Sequence, residues 1–519
     1  MTILKSVITI ISCLFVFTDA ARILAMFPAP SISHQVVFRP LIKELLNRGH
    51  EVVHITTDPI FEKGKAPANI TEIDVHDISY NMWRKGITSG AISGSKHDLH
   101  NQLASFIKLL VELTEHQFLV DEVQTMLKDK TQKFDLLLLE AYFLSTLGLS
   151  HVYKAPVIQI CSFGMPEPNL SIVGAEFHPL LYPTSTHQRI NNLTMIEKIT
   201  ELYNRYRIGR IYDGVEEIGN GILKRVFGPD VPPISELKNN VDMLFLNVHS
   251  VWEMNRPIPP NVIYMGGVHQ NPQKDLPQDL KKYLDSSKHG VIYISFGTNV
   301  EPSLLPPEKI KAMINVVSKL PYDVLWKWNQ DELPGRTQNI RISKWLPQSD
   351  LLRHPKLKLF ITQAGLQSTD EAITAGVPLI GMPMLGDQWY NAEQYEYHKI
   401  GIRVDMDTMT EEKLTNAINT ILLNHDSYRQ NILHLGELMR DQPQSPLERA
   451  VWWTEYVIRH SGARHLRAPA ANMPWNQYLE LELVSYVLLG LLSVITLVVV
   501  FLYYLFRLAV KPSLKLKRS

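Results

Sequence analysis

Phe360-Ile-Thr-Gln-Ala-Gly-Leu-Gln-Ser-Thr-Asp-Glu371, followed by Pro378-Leu-Ile-Gly-Met-Pro-Met-Leu-Gly-Asp387-Gln388, decides how this chain folds. Leu357–Thr362 reads as a buried parallel strand that ends abruptly at small and polar residues. Gly365 permits a sharp turn and lets a ligand approach the backbone. A helix is expected to start near Ser368, and its first-turn N–H groups would point at an anion beyond the strand end. A diphosphate fits that geometry. Pro378–Met384 reads as the next strand, and its end presents Asp387 and Gln388 beside the first loop. A carboxylate and an amide both accept hydrogen bonds from sugar hydroxyls without a metal. Two plainer readings stand beside these. Ser368-x-x-Glu371 matches a capping box, which periodicity alone favours. Asp387-Gln388 also suits an ordinary turn ahead of a helix over residues 391–399.

The same alternation of strand and helix extends on both sides. Val291–Gly297, Asp323–Trp328 and Gly401–Asp405 read as further strands of this unit, with Met243–His249 and Val262–Val268 opening it. Asn271–Lys288 is polar and reads as a surface linker. A second unit lies nearer the N-terminus. It comprises Arg22–Pro28, a helix over about 34–48 closed by Gly49, then Glu51–Thr57, Phe134–Glu140 and Val157–Phe163. Such alternation predicts an α/β chain with two Rossmann-like, doubly wound parallel-sheet domains and a cleft between them. Ligands in such sheets sit at the C-terminal strand ends. Residues 95–130 read as amphipathic helix, with Leu103, Phe106, Leu110, Leu113 and Phe118 near helical spacing. With residues 170–230 they would suit an acceptor pocket, although plain packing explains any one of them.

At 519 residues the chain exceeds one ordinary domain, and its 45% hydrophobic content supports a real core. Lys+Arg and Asp+Glu are both 52, which argues against a nucleic-acid partner. Residues 1–20 read as a signal peptide: Lys5, the apolar run Val7–Phe17, then Thr18-Asp19-Ala20. Leu483–Phe506 carries no charge and is long enough to span a bilayer. Tyr486, Tyr503 and Tyr504 near its ends suit the interface, and Arg507, Lys511, Lys515, Lys517 and Arg518 place the tail in the cytosol. The expected topology is single-pass type I, with residues from 21 to about 480 in the lumen. Lys515 and Lys517 resemble a dilysine endoplasmic-reticulum retrieval signal. Cys161 is the one cysteine beyond the leader, so no internal disulfide is expected. Asn69, Asn169 and Asn192 head glycosylation sequons. No G-x-G-x-x-G follows the first strand, and no H-E-x-x-H, paired C-x-x-C or G-x-S-x-G occurs. A dinucleotide oxidoreductase, a zinc enzyme and a serine-hydrolase elbow are therefore unsupported.

The two quoted stretches, with their six-residue separation, resemble the signature of the UDP-glycosyltransferases, which include the UDP-glucuronosyltransferases. The resemblance extends over the whole chain, including leader, span and lysine tail. Gln363 and Leu366-Gln367-Ser368 look like the insect members; vertebrate ones usually have His at position 363. The resemblance implies the GT-B fold and inverting transfer from UDP-glucose or UDP-glucuronate as co-substrate, with no metal or other cofactor. It implies an N-terminal acceptor-binding domain over 21–255 and a UDP-sugar-binding domain over 256–440. Helices over 441–482 would pack back, ahead of the span at 483–506 and a basic tail at 507–519. It also implies self-association in the endoplasmic-reticulum membrane and a small lipophilic acceptor, in detoxification or metabolite conjugation.

Residue roles follow the same resemblance. Trp345 and Gln348 would hold the uracil end by stacking and edge hydrogen bonds. Glu371 would bind the ribose hydroxyls, one oxygen remaining for a cap. Thr298 and the loop Gln363, Gly365, Gln367, Ser368 would hold the diphosphate. Asp387 and Gln388 would hold the transferred sugar, with Arg256 near a glucuronate carboxylate. Gln363 cannot carry charge as His does, so leaving-group stabilisation would rest on the helix dipole and loop donors. His34 would be the catalytic base. Glu140 would orient it, standing where the family has Asp; Asp135 lies at the wrong end of its strand. Glucose is the favoured donor, because the residue before Arg256 departs from the family pattern. Two rivals remain. Asp405-Met-Asp407 matches the D-x-D of metal-dependent GT-A transferases, and the fold could serve as a non-catalytic carrier of lipophilic ligands.

Overall fold

The computed structural model describes residues 20–86, 99–175, 178–298 and 300–510. The expected leader and the tail lysines Lys515 and Lys517 lie outside the described residues.

Thirteen strands form two all-parallel sheets among the described residues. The first contains β1 (Arg22–Phe27), β2 (Glu51–Thr56), β3 (Ile70–Asp74), β4 (Leu136–Glu140), β5 (Val157–Cys161), β6 (Val241–Leu246) and β7 (Val262–Tyr264). Their spatial order is β3-β2-β1-β4-β5-β6-β7. The second contains β8 (Val291–Ser295), β9 (Asp323–Lys327), β10 (Ile340–Ser343), β11 (Leu357–Thr362), β12 (Leu379–Gly381) and β13 (Gly401–Arg403), in the order β10-β9-β8-β11-β12-β13. In both sheets the winding reverses beside the first strand, between β1 and β4 and between β8 and β11. Those are the crevices where a doubly wound sheet takes its ligand.

β1 shows why the first sheet forms. All but one of its residues are buried, so both faces must be covered. Ile23, Ala25 and Phe27 face one layer, which holds Val37, Phe38, Leu41 and Leu45 of helix Ile32–Asn47. Leu24 and Met26 face the other layer. Phe27 and Phe38 stack with ring centroids 3.9 Å apart; each such burial stabilises the fold by roughly 1.5–3 kcal/mol. Helix Pro446–Arg459 returns to this layer through Ala450, Val451 and Val457. Its Glu455 meets Arg48 at 3.2 Å.

The structure corrects two expectations of organisation. β6 and β7 belong to the first sheet, so the N-terminal domain runs past the boundary drawn at 255/256. Periodicity identifies strands but cannot say which sheet they join. β3 and β10 were not anticipated. Both are edge strands of 5 and 4 residues with mixed burial, too short to read as apolar runs. The surface stretch after Asn271 also contains a helix, Gln278–Ser286.

Helix Leu481–Val510 has 30 residues and no buried portion, and its most apolar 18-residue stretch has a mean hydropathy of 2.7. At about 1.5 Å per residue it exceeds the thickness of a bilayer's hydrocarbon core.

Candidate active site

Sequence and packing first fix the two residues at the crevice of the first sheet. Helix Ile32–Asn47 follows β1 after a short Pro-containing loop, so His34 lies in its first turn. Glu140 is the last residue of β4, the neighbour of β1. Adjacent strands thus deliver both side chains to one spot, 106 residues apart in sequence. His34 Nδ1 lies 2.6 Å from Glu140 Oε1. Glu140 Oε2 accepts a 3.1 Å hydrogen bond from the Ala29 N–H, which fixes the carboxylate. Glu140 is 1% exposed, whereas His34 keeps an open face. Phe163 meets the imidazole edge-on at 5.8 Å. The resulting device is an oriented imidazole whose Nε2 remains available to a hydroxyl. Asp135 lies at the opposite end of β4, where it accepts from the Arg22 N–H.

Gln35 was not singled out from the sequence, yet it sets this turn. Its buried amide donates to Phe27 O, Ala29 O and Thr57 Oγ1, and its Oε1 accepts from Thr56 Oγ1. A buried glutamine carries no sequence signal that separates it from a surface one.

Across the cleft, β11 ends at Thr362 and helix Leu366–Ala375 begins at once. The helix therefore starts two residues earlier than expected. Gly365 is the N-cap residue, no side chain caps it, and Ser368 with Glu371 makes no capping box. The strain of the turn also moves: Ala364 takes φ 67°, while Gly365 has φ −66°. Gly365 thus matters for close approach rather than for a left-handed turn.

The freed side chains build a polar pocket. Gln348 Nε2 donates to Ser368 Oγ at 2.9 Å and to Glu371 Oε2 at 2.7 Å, and its Oε1 accepts from Tyr293 OH. Burial raises the Glu371 carboxyl against the pull of that Gln348 bond. Thr298, Trp345, Gln348, Gln363, Gly365, Gln367, Ser368 and Glu371 all line this one pocket. Gln363 is buried, and its Oε1 has no protein partner. Gln367 has a further contact, donating 2.9 Å to Ser162 O of the first domain.

Lys327 and Arg39 also line the pocket and were not anticipated. Lys327 ends β9. Its ammonium donates to Gly297 O at 2.9 Å and lies 4.8 Å from the centre of the Trp345 ring. Burial lowers its pKa. A half-buried cation beside the strand-end loop suits a diphosphate. A charge-assisted hydrogen bond contributes about 1.5–3 kcal/mol. Lys327→Met is therefore expected to weaken UDP binding by roughly tenfold or more while affecting uridine much less. Titration calorimetry with both ligands checks this; an equal loss for both would assign Lys327 to the base alone.

Asp387 and Gln388 line the cavity that also holds His34, so the two domains meet there. Burial pushes the Asp387 carboxyl up to about 6, against the Asn391 amide and His34, which lower it. Its Oδ2 accepts from Asn391 Nδ2 at 2.8 Å. Gln388 corrects one expectation. Its Oε1 already accepts from Met384 N–H and Leu385 N–H, so it can offer a sugar only its NH₂. On the other side the cavity is walled by Trp83, Leu103, Phe106, Tyr142, Phe143 and Phe163, an apolar surface.

Arg256 is brought into neither pocket. It is 3% exposed, pairs with Glu253 and donates to Tyr182 O and Pro183 O. Its guanidinium clamps a loop, so the sugar-binding role expected for it is withdrawn. Among the sequons, Asn169 is fully buried and donates to Gln159 Oε1, leaving no space for a glycan. The Asn69 amide is held by Leu46 O and His50 O, whereas Asn192 is exposed. Asp405 of the D-x-D triplet is held bidentately by Arg403, and the described residues contain no group of acidic, His and Cys side chains fit to hold a metal.

Two parallel doubly wound domains thus meet at a cleft, with the His34–Glu140 pair at the strand ends of one and a polar pocket at the strand ends of the other. The family model "UDP-glucoronosyl and UDP-glucosyl transferase" matches residues 22–516, and the chain belongs to this family. It is 34% identical over 512 residues to an ecdysteroid UDP-glucosyltransferase of Spodoptera littoralis nuclear polyhedrosis virus, covering 94% of this chain and 98% of that one. It is 32% identical over 493 residues to UDP-glucosyltransferase 2 of Dactylopius coccus, covering 93% and 92%. Among solved structures, UDP-glucose: anthocyanidin 3-O-glucosyltransferase in complex with UDP matches with a TM-score of 0.56 at 18% identity, covering 84% of this chain and 99% of that one. The fold is GT-B. The protein is an enzyme of the UDP-glycosyltransferase type, with a UDP-sugar as co-substrate and no metal cofactor.

Proposed function

We propose that this enzyme transfers glucose from UDP-glucose, with inversion, to a hydroxyl of a small lipophilic acceptor. The observation that carries the reading is the cavity shared by His34 and Asp387, with the acceptor-side apolar wall behind them. The acceptor hydroxyl lies against His34 Nε2, which takes its proton as the oxygen attacks the anomeric carbon. Glu140 stabilises the imidazolium that forms. Uracil rests on Trp345 and the ribose on Glu371. The departing diphosphate is met by Thr298, Gln363, Lys327 and the first-turn N–H groups of helix Leu366–Ala375. Asp387 Oδ1 and Gln388 Nε2 hold the hexose. The viral and insect relatives named as glucosyltransferases favour glucose, and the withdrawal of Arg256 removes the one cation expected for glucuronate. An ecdysteroid, as in the relatives' names, is one acceptor of suitable lipophilicity; detoxification or metabolite conjugation is the role such transfer serves. Helix Leu481–Val510 anchors the enzyme in the endoplasmic-reticulum membrane with both domains in the lumen and Asn192 glycosylated.

A donor panel with one broad phenolic acceptor tests the reading. UDP-glucose should exceed UDP-glucuronate and UDP-galactose in kcat/KM at least several-fold. A preference for glucuronate would overturn the donor assignment. Because Asp387 must be ionised to accept two sugar hydroxyls, the donor KM should rise as pH falls below about 6. Asp387→Asn should have a raised KM at every pH and no such rise.

A further inference from the structure

We infer that the exposed apolar face of helix Met195–Phe227, with the aromatic segment ahead of Leu481–Val510, seats on the lipid surface and opens a route from the bilayer to the acceptor cavity. This rests on the membrane anchor and lipophilic acceptor proposed above. Met195, Ile196, Ile199, Leu202, Tyr203 and Tyr206 are between 44% and 77% exposed. At 3.6 residues per turn they fall within an arc of about 120°. They are not the helix's packing face, which is formed by Ile208, Gly219, Ile222 and Leu223. Contiguous apolar exposure on this scale marks an interaction surface. Lys198 and Arg207 border the stripe and are exposed, an arrangement that suits lipid phosphates, while Arg210 below it pairs with Asp213.

Two further features name lipid as the occupant. First, the stripe is continuous with the membrane approach. Leu202, Tyr206 and Arg210 form one side of a groove whose other side contains Trp475 and Tyr478. Both are exposed aromatics within a few residues of the start of helix Leu481–Val510, the position of an interfacial belt. Second, the groove leads inward. Tyr212 lines both this groove and the cavity that holds His34. Tyr212 therefore stands between the groove and the cavity that a lipid-dissolved acceptor would enter.

The test uses the full chain in nanodiscs of phosphatidylcholine with a minority of phosphatidylserine. An environment-sensitive dye is placed at Ile199→Cys, at Trp475→Cys or at Leu423→Cys, an exposed site in the other domain; the native Cys161 is buried. Nitroxide-labelled lipid should quench the first two to similar extents and leave the third unaffected. Quenching at Ile199→Cys no greater than at Leu423→Cys overturns the contact. Disulfide cross-linking of Ile199→Cys copies without quenching overturns it in favour of a second copy. In the same discs, Ile196→Glu/Ile199→Glu should raise the KM of a long-chain alkylphenol several-fold, with the UDP-sugar KM and the kcat for a water-soluble phenol unchanged. An unchanged alkylphenol KM overturns the route. If the wild type transfers no sugar from any donor, the proposed function fails, while the quenching arm still decides the contact.

Discussion

Replacing His34 with Ala is expected to lower the transfer rate by roughly 10²–10⁴-fold, the usual contribution of a positioned general base, with UDP affinity unchanged. The separation of effects follows from the geometry. His34 stands on the first domain at 2.6 Å from Glu140. The residues around Gln348 and Glu371 that line the proposed nucleotide pocket stand on the second. Removing the imidazole removes proton transfer but leaves that pocket intact. Steady-state kcat and calorimetric UDP binding, measured on the same preparation, check this. Glu140→Gln should fall between the variant and wild type. It preserves volume and the Ala29 contact, but loses the charge that stabilises an imidazolium. Full activity in His34→Ala would dismiss the base assignment; a parallel loss of UDP binding would show that the variant has disturbed the cleft.

Asp370→Asn is expected to stabilise the protein at neutral and alkaline pH and to abolish one of its pH dependences. Asp370 is buried beside Glu371, and its Oδ2 has no hydrogen-bond partner. Burial, assisted by the Glu371 charge, pushes its carboxyl up to about 8. The native state therefore retains a proton between about pH 4 and 8 that the unfolded chain has released. Stability must fall as pH rises through that window, by an amount on the order of 5 kcal/mol in total. The asparagine has the same shape and no charge to desolvate. Thermal midpoints at pH 5 and pH 8 should therefore converge in the variant relative to wild type, with the gain concentrated at pH 8. An equal shift at both pH values would show that the carboxyl is not the cause.

The neighbouring pair Asp370-Glu371 shows where sequence reading stops. Glu371 was legible only through the family pattern that named its ligand, since periodicity alone favoured a capping box with Ser368. Asp370 differs from it by one position, and only packing shows which of the two carboxylates faces the pocket and which is enclosed. The capping box at Ser368 failed for a related reason. Cap motifs are local, but the helix start was set by β11 ending at Thr362 and by Ala364 absorbing the turn.

The sequence by itself determined the two doubly wound units, the apolar span, the turn around Gly365 and the strand-end Asp387, each a short-range pattern: a buried run, a break and a polar residue at a strand's end. His34 and Glu140 were singled out only by the family resemblance. Only the tertiary structure decided which sheet β6 and β7 join and that Arg256 clamps a loop. It alone brought in Gln35, Lys327 and Arg39, and turned the Gln388 carbonyl back into its own loop. Those outcomes depend on which neighbour a side chain meets after strands distant in sequence become adjacent, and a linear pattern carries no information about that neighbour.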